Sequence, residues 1–196
     1  MNKIVVIEHH YLPLVSYFNL LKNSEKVLWE VSEHYQKQTL RNRTYILSAN
    51  GMLILTVPIQ HSFKKNAEVE IDYTQNWVKN HLRGIASAYR HSPYFEFYFP
   101  YLEEIYNSKP KTLLELNTRL TYLIIRFLKL DLVNEITTRY LETYPKGYTD
   151  LRSKYQYRDE NVQSKNYKQV FGESFVSNLS VIDLIFNCGP DSKENL

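Results

Sequence analysis

Apolar and polar positions recur with two periods along this chain, and each change of period marks an element. Ile4 to Ile7 is a short β-branched run, the pattern of a buried first strand. Pro13 can open a helix, where its missing N–H is not needed, and Leu14, Tyr17, Phe18 and Leu21 then follow at helical spacing. Val27 to Val31 reads as a second strand. A strand–helix–strand unit favours parallel pairing, because the helix supplies the crossover. Arg43 to Leu47 and Met52 to Val57 flank Ala49-Asn50-Gly51, and Asn-Gly is a strong hairpin signal because both residues tolerate positive φ. Pro58 ends that hairpin. Glu68 to Tyr73 alternates polar and apolar, which predicts a further strand.

The middle of the chain changes to a helical period. Trp77, His81, Ile85 and Tyr89 share one face. Ser92-Pro93 predicts a cap with proline in the first turn, and Pro100 should end or kink the helix that follows. Thr112 and Glu115 form a capping box, and Leu113, Leu116, Leu120, Ile124 and Phe127 give a strongly amphipathic helix. Val133 to Thr138 predicts a returning strand and Tyr144 to Gly147 a turn. Arg152 to Lys168 is polar and Tyr-bearing, the pattern of a loop with a short helix. Ser180 to Phe186 is a short helix that Gly189-Pro190 ends. These elements predict an α/β fold with a small mixed β-sheet flanked by helices. A helical segment occupies the middle of the chain, about Gln75 to Leu130. No linker or repeat divides the 196 residues, so a single domain over 1–196 is expected.

Composition narrows the function more than the fold. Lys and Arg number 24 against 21 acids, too balanced to argue for nucleic acid. The single cysteine, Cys188, excludes an intrachain disulfide framework. No cofactor is expected, because there is neither a His-Glu-x-x-His pattern nor a phosphate-cradling glycine loop. Apolar runs fall short of the roughly 20 residues that cross a bilayer, and no signal-peptide pattern opens the chain. A cytoplasmic location with no membrane span is the expectation. Tyrosine is frequent, at 17 residues, and suits both packing and ligand contact.

Candidate chemistry concentrates in two stretches. Lys37, Arg41 and Arg43 lie within seven residues, with no acid among them. On a strand Arg41 and Arg43 share a face, so both guanidinium groups could grip one phosphate or carboxylate, with Asn42 facing the other way. The other reading is a solvated strand face answered by Glu30, Glu33 or Asp72. His9 and His10 directly follow the first strand, where α/β proteins place ligand groups. Each suits a base or ligand contact, though a loop histidine satisfied by backbone is the commoner case for either one alone. Asp183 stands inside an apolar helix and needs either a partner, such as one of the arginines, or a wet face.

The ordered series Glu8-His-His-Tyr-Leu-Pro13, Tyr17-Phe18, Lys37 to Arg43, Leu55-Thr-Val-Pro58, Trp77, Tyr89, Ser92-Pro-Tyr-Phe95 and Asp183 to Pro190 resembles the WbqC-like proteins over nearly the whole chain. The chain departs from the pattern in places: Glu8-His9-His10-Tyr11 stands where many members have Gln-Pro-x-Tyr. The resemblance implies a bacterial protein of surface polysaccharide or O-antigen biosynthesis. It further implies transferase-type work on a phosphorylated or nucleotide-activated sugar.

On that reading Lys37, Arg41 and Arg43 hold an anionic small molecule such as a sugar nucleotide. Asn42 and Tyr11 orient the acceptor, His10 or else His9 is the general base, and Asp183 orients from behind. The rival reading is a non-catalytic binding or scaffold protein that docks partners, or another copy of itself, through the aromatic stretch Tyr94 to Tyr101.

Overall fold

The fold was analysed in a computed structural model, which describes residues 4–60, 65, 68–154 and 165–196. Much of the expected loop from Arg152 to Lys168 therefore lies outside the described residues.

Strand β1 (Ile4–Glu8) is followed by helix α1 (Val15–Lys22) and strand β2 (Lys26–Glu30). The β-branched run of β1 is buried on both faces, as a parallel strand with covered faces must be. β1 and β2 pair in parallel, with Val5 opposite Val27 and Glu8 opposite Glu30. Strand β5 (Val133–Ile136) pairs with β2 and strand β6 (Tyr148–Asp150) with β1, both in parallel. The sheet order is β5-β2-β1-β6. All four strands therefore place their carboxyl ends on one edge.

The antiparallel pairing is held separately. Strands β3 (Arg43–Ser48) and β4 (Gly51–Thr56) form a two-stranded hairpin in which Ser48 faces Gly51. Ala49-Asn50 therefore makes the turn. Asn50 is not among the described residues with positive φ, whereas Gly51 has φ +95°. The glycine supplies the left-handed residue that closes the two-residue turn.

Helices α2 (Trp77–Tyr89), α3 (Phe95–Asn107) and α4 (Leu113–Phe127) fill the middle of the chain, and α5 (Val181–Cys188) runs into a 3-10 turn over Gly189–Asn195. The buried face of α2 includes Trp77, His81, Ile85 and Tyr89. Thr112 caps α4 by accepting from the Glu115 N–H at 3.2 Å, while the Glu115 carboxylate reaches back one residue further, to the Lys111 N–H.

Three expectations are corrected. Glu68 to Tyr73 forms no strand; it makes two isolated bridges, Ile59 with Ile71 and Glu70 with Thr112. Its alternation instead buries Val69 and Ile71 as anchors for a connecting segment. Helix α3 begins at Phe95 with Tyr94 as its cap, so Ser92-Pro93 precedes it rather than capping it. Pro100 does not end α3, which continues to Asn107; the lost N–H removes one hydrogen bond on a largely exposed helix.

Candidate functional site

The parallel register sets two acids side by side, because Glu8 and Glu30 close adjacent strands and face each other. Both are buried, so each carboxylate needs a cation or donors. The segments leaving the sheet provide them.

Glu8 is met by Arg41, with Nη2 at 3.1 Å from Oε1, and by His10, with Nε2 at 3.2 Å. The Ser153 N–H adds bonds of 3.1 and 3.2 Å to its two oxygens. Ser153 adopts φ +56° in the turn after β6, and that turn carries its N–H to Glu8. Glu33, three residues beyond β2, accepts from Arg41 Nη2 at 2.6 Å and Nε at 3.0 Å. One buried guanidinium, 2% exposed, thus bridges two carboxylates. Glu30 is held by the hydroxyl of Thr137 after β5 at 2.8 Å, by the Ser32 N–H, and by Arg152 Nη1 at 3.1 Å.

The electrostatics separate the two acids around Arg41. Burial raises the Glu8 carboxyl, but the hydrogen bond and charge of His10 and the charge of Arg41 outweigh it and hold the group down at about 2. Burial dominates for Glu33; the Arg41 charge opposes it and the Glu8 charge adds to it, so the carboxyl is pushed up to about 7. Two carboxylates sharing one cation titrate as a pair, and Glu33 is the one that keeps its proton longer.

Glu33 also forms part of the wall of a cavity of about 510 Å³, with Ser32, His34, Tyr35 and Gln36 after β2, Thr138, Arg139 and Tyr140 after β5, and Lys65. This is the edge where open α/β sheets bind ligands. Its size falls in the range of small-molecule sites, roughly 300–1,000 Å³. Arg139 and Lys65 make no ion pair among the described residues. The Tyr35 hydroxyl is buried without a hydrogen-bond partner among the described residues. Burial raises that phenol to about 12 against the opposing charges of Arg41 and Arg43, so both guanidinium groups lie within electrostatic reach of it. Arg152 spans Glu30 and Asp150, and its guanidinium lies 4.6 Å from the ring centre of Tyr140, fixing that wall.

The residues singled out from sequence are distributed as follows. His10 and Arg41 meet in the network on Glu8. His9 stacks on Trp29 with ring centres 4.3 Å apart, its Nδ1 buried without a partner among the described residues. Burial, reinforced by the charge of His10, lowers it to about 3, so it is neutral near pH 7. Asn42 is buried and donates its amide to the Val57 carbonyl at 3.0 Å, tying the start of β3 to the end of β4. Arg43 opens β3, and Lys37 is exposed in the loop before it.

Tyr11 belongs to a separate buried cluster: its hydroxyl bonds to Tyr106 and, at 2.7 Å, to His81 Nδ1. Asp183 is buried on α5, where its Oδ2 accepts from Tyr167 at 2.6 Å and Gln169 at 2.9 Å; no arginine reaches it among the described residues. Glu8, Arg139, Lys65 and Tyr35 were not singled out from sequence, and Glu33 entered only as a counter-ion. An acid closing an apolar strand was the available signal for Glu8. No local pattern marks the others.

A second cleft, of about 520 Å³, lies between α3, the end of α4 and the 3-10 turn. Tyr94, Phe97, Tyr98 and Tyr101 line one side and Phe127 and Arg126 the other, and Phe97 is 69% exposed.

Among the described residues no helix is long and apolar enough to cross a membrane, and no cluster of three His, Cys, Asp or Glu side chains is placed to hold a metal. Comparison with known proteins adds a family. The sequence model of the WbqC-like protein family matches residues 9–150 and 144–195. An uncharacterized protein of Mycobacterium tuberculosis is 27% identical over 228 residues, spanning 100% of this chain and 98% of that protein. No solved structure matches the chain.

Proposed function

The chain belongs to the WbqC-like protein family, and from that premise we propose that it is a transferase-type enzyme acting on a phosphorylated or nucleotide-activated sugar in surface-polysaccharide biosynthesis. The observation that supports this reading is Glu33: a carboxyl held at about 7, fixed by Arg41, in the wall of a cavity that also carries Arg139 and Lys65, cations without an ion pair among the described residues. A base poised near neutral pH beside an anion site is the equipment of group transfer to a hydroxyl.

In the proposed step the ionised Glu33 takes the proton of the acceptor hydroxyl. The acceptor oxygen bonds to the sugar's anomeric carbon as the bond from that carbon to the phosphate oxygen breaks. The departing phosphate is stabilised by Arg139 and Lys65, with Arg43 and Lys37 on the approach. Arg41 does not grip the ligand, because its charge is already divided between Glu8 and Glu33. His10 and Glu8 act behind it, holding the guanidinium so that Glu33 has one position. Asn42 ties the start of β3 to the end of β4, and Tyr11 and Asp183 serve buried clusters apart from the cavity.

The test is binding and turnover with nucleoside-diphosphate sugars, UDP-glucose being the first probe. Arg139→Ala with Lys65→Ala should weaken binding at least about tenfold, since each removes a charge-assisted contact. Glu33→Gln should bind as before and fail to transfer. Equal affinity in the double variant and the parent contradicts the proposal.

The second cleft favours another reading, a non-catalytic protein that binds partners through Tyr94, Phe97, Tyr98 and Tyr101. Phe97→Ser would then abolish partner capture while leaving sugar-nucleotide binding unchanged.

A further inference from the structure

Strand β4, Gly51-Met-Leu-Ile-Leu-Thr56, is an edge that native proteins normally guard. Its inner side pairs with β3 over the whole length. The outer edge of β3 is covered, since the Ser180 N–H donates to the Tyr45 carbonyl at 2.8 Å. Among the described residues no strand or bridge pairs with the outer edge of β4. The usual protections are missing: the strand holds no charge and no proline, and it keeps an unbroken register without a bulge. Instead it exposes Met52 to 48%, Leu53 to 36% and Ile54 to 51%. One of its faces is fixed against α2, where a Cβ on Gly84 would sit 3.3 Å from Leu53 and 3.6 Å from Leu55. Met52 and Ile54 point to the other face and have no such cover.

We propose that β4 is a homodimer interface, at which the β4 strands of two copies pair antiparallel and join two hairpins into a four-stranded sheet. The occupant follows from charge and symmetry. A neutral apolar edge is matched by a neutral apolar strand, and β4 of a second copy is one. Antiparallel pairing of identical strands about a two-fold axis closes on itself, so neither copy keeps a free edge. With the axis perpendicular to the sheet, facing residues must point to the same side. A register centred on Leu53 satisfies this, and Met52 of each copy then faces Ile54 of the other. A two-stranded ribbon is marginal alone and gains stability as a four-stranded sheet. The proposal is independent of the cavity at Glu33.

Sedimentation velocity of the full chain, from about 1 to about 100 μM, tests it. The expected species at the upper end has twice the 23.4 kDa chain mass. Ile54→Lys places an ammonium in each of the two symmetric contacts and should return the chain to monomer with an unchanged circular-dichroism spectrum. Because a dimer could form elsewhere, amide hydrogen exchange is read as well: the Met52 and Ile54 amides, which point away from β3, should lose protection on dilution in the parent, while those of Leu53 and Leu55, bonded to β3, should not. A parent that stays monomeric at the upper concentration overturns the proposal. So does a dimer that survives Ile54→Lys, or one whose Met52 and Ile54 amides exchange equally at both concentrations.

Discussion

Glu33 carries the chemistry in this account, and its neighbours set its properties. Arg41→Ala would leave Glu8 and Glu33 buried with no guanidinium between them, a loss of about 3–5 kcal/mol by analogy with other broken buried pairs. Urea denaturation measures it. Arg41→Lys should recover little, because an ammonium cannot present Nε and Nη2 to Glu33 while reaching Glu8. As a general base, Glu33 should give a transfer rate that rises as pH passes through about 7, and Glu33→Gln should remove that rise. A rate that falls through the same region would assign it the acid's role instead. At this scale the sequence was partly legible. His10 and Arg41 were visible as polar groups beside strands, and the structure joins them through Glu8. Glu33 was visible only as a possible counter-ion, and Arg139 and Lys65 were not visible, because their meeting depends on the parallel pairing of β2 with β5 and on the bridge between His34 and Lys65.

Elements were legible where local pattern and burial agree. The β-branched run of β1, the capped stripe of α4 and the Asn-Gly hairpin each follow from period and turn chemistry. Strand β6 did not show itself: Tyr148-Thr-Asp150 is three residues with no apolar run, and only pairing with β1 makes it a strand. The converse holds for Glu68 to Tyr73, whose alternation is real but finds no neighbour beyond isolated bridges. Gly189 shows how an element end can be tested. It has φ +54°, and a Cβ there would lie 2.5 Å from the ring of Tyr94. Gly189→Ala should therefore cost about 1–3 kcal/mol, read as a lower urea midpoint, through strain and overpacking together. No loss would mean that the ring of Tyr94 moves freely aside.

For the molecule as a whole, these groups predict how stability varies with pH. His9 and His81 are buried, and burial lowers them from 6.5 to about 3 and about 4. Below 6.5 the unfolded chain binds protons that the fold refuses, so both contributions are lost as pH falls. Glu33 works the other way. Its folded value is raised from 4.5 to about 7, so its contribution is complete below 4.5 and is lost as pH rises to 7. Glu8, lowered to about 2, contributes above 4.5 and loses that contribution as pH falls toward 2. Between pH 4.5 and 6.5 two histidines therefore oppose one carboxyl, and stability should rise with pH. Glu33→Gln should steepen that rise by about one proton's worth, or about 1.4 kcal/mol per pH unit, in urea titrations at stepped pH.

The most direct measurement is a carbon-detected NMR titration of the Glu33 carboxyl, assigned by its absence in Glu33→Gln, with and without bound UDP-glucose. The account predicts a midpoint near 7 that moves higher when the bound diphosphate adds its negative charge. A midpoint at or below 4.5, unmoved by the nucleotide sugar, would contradict it.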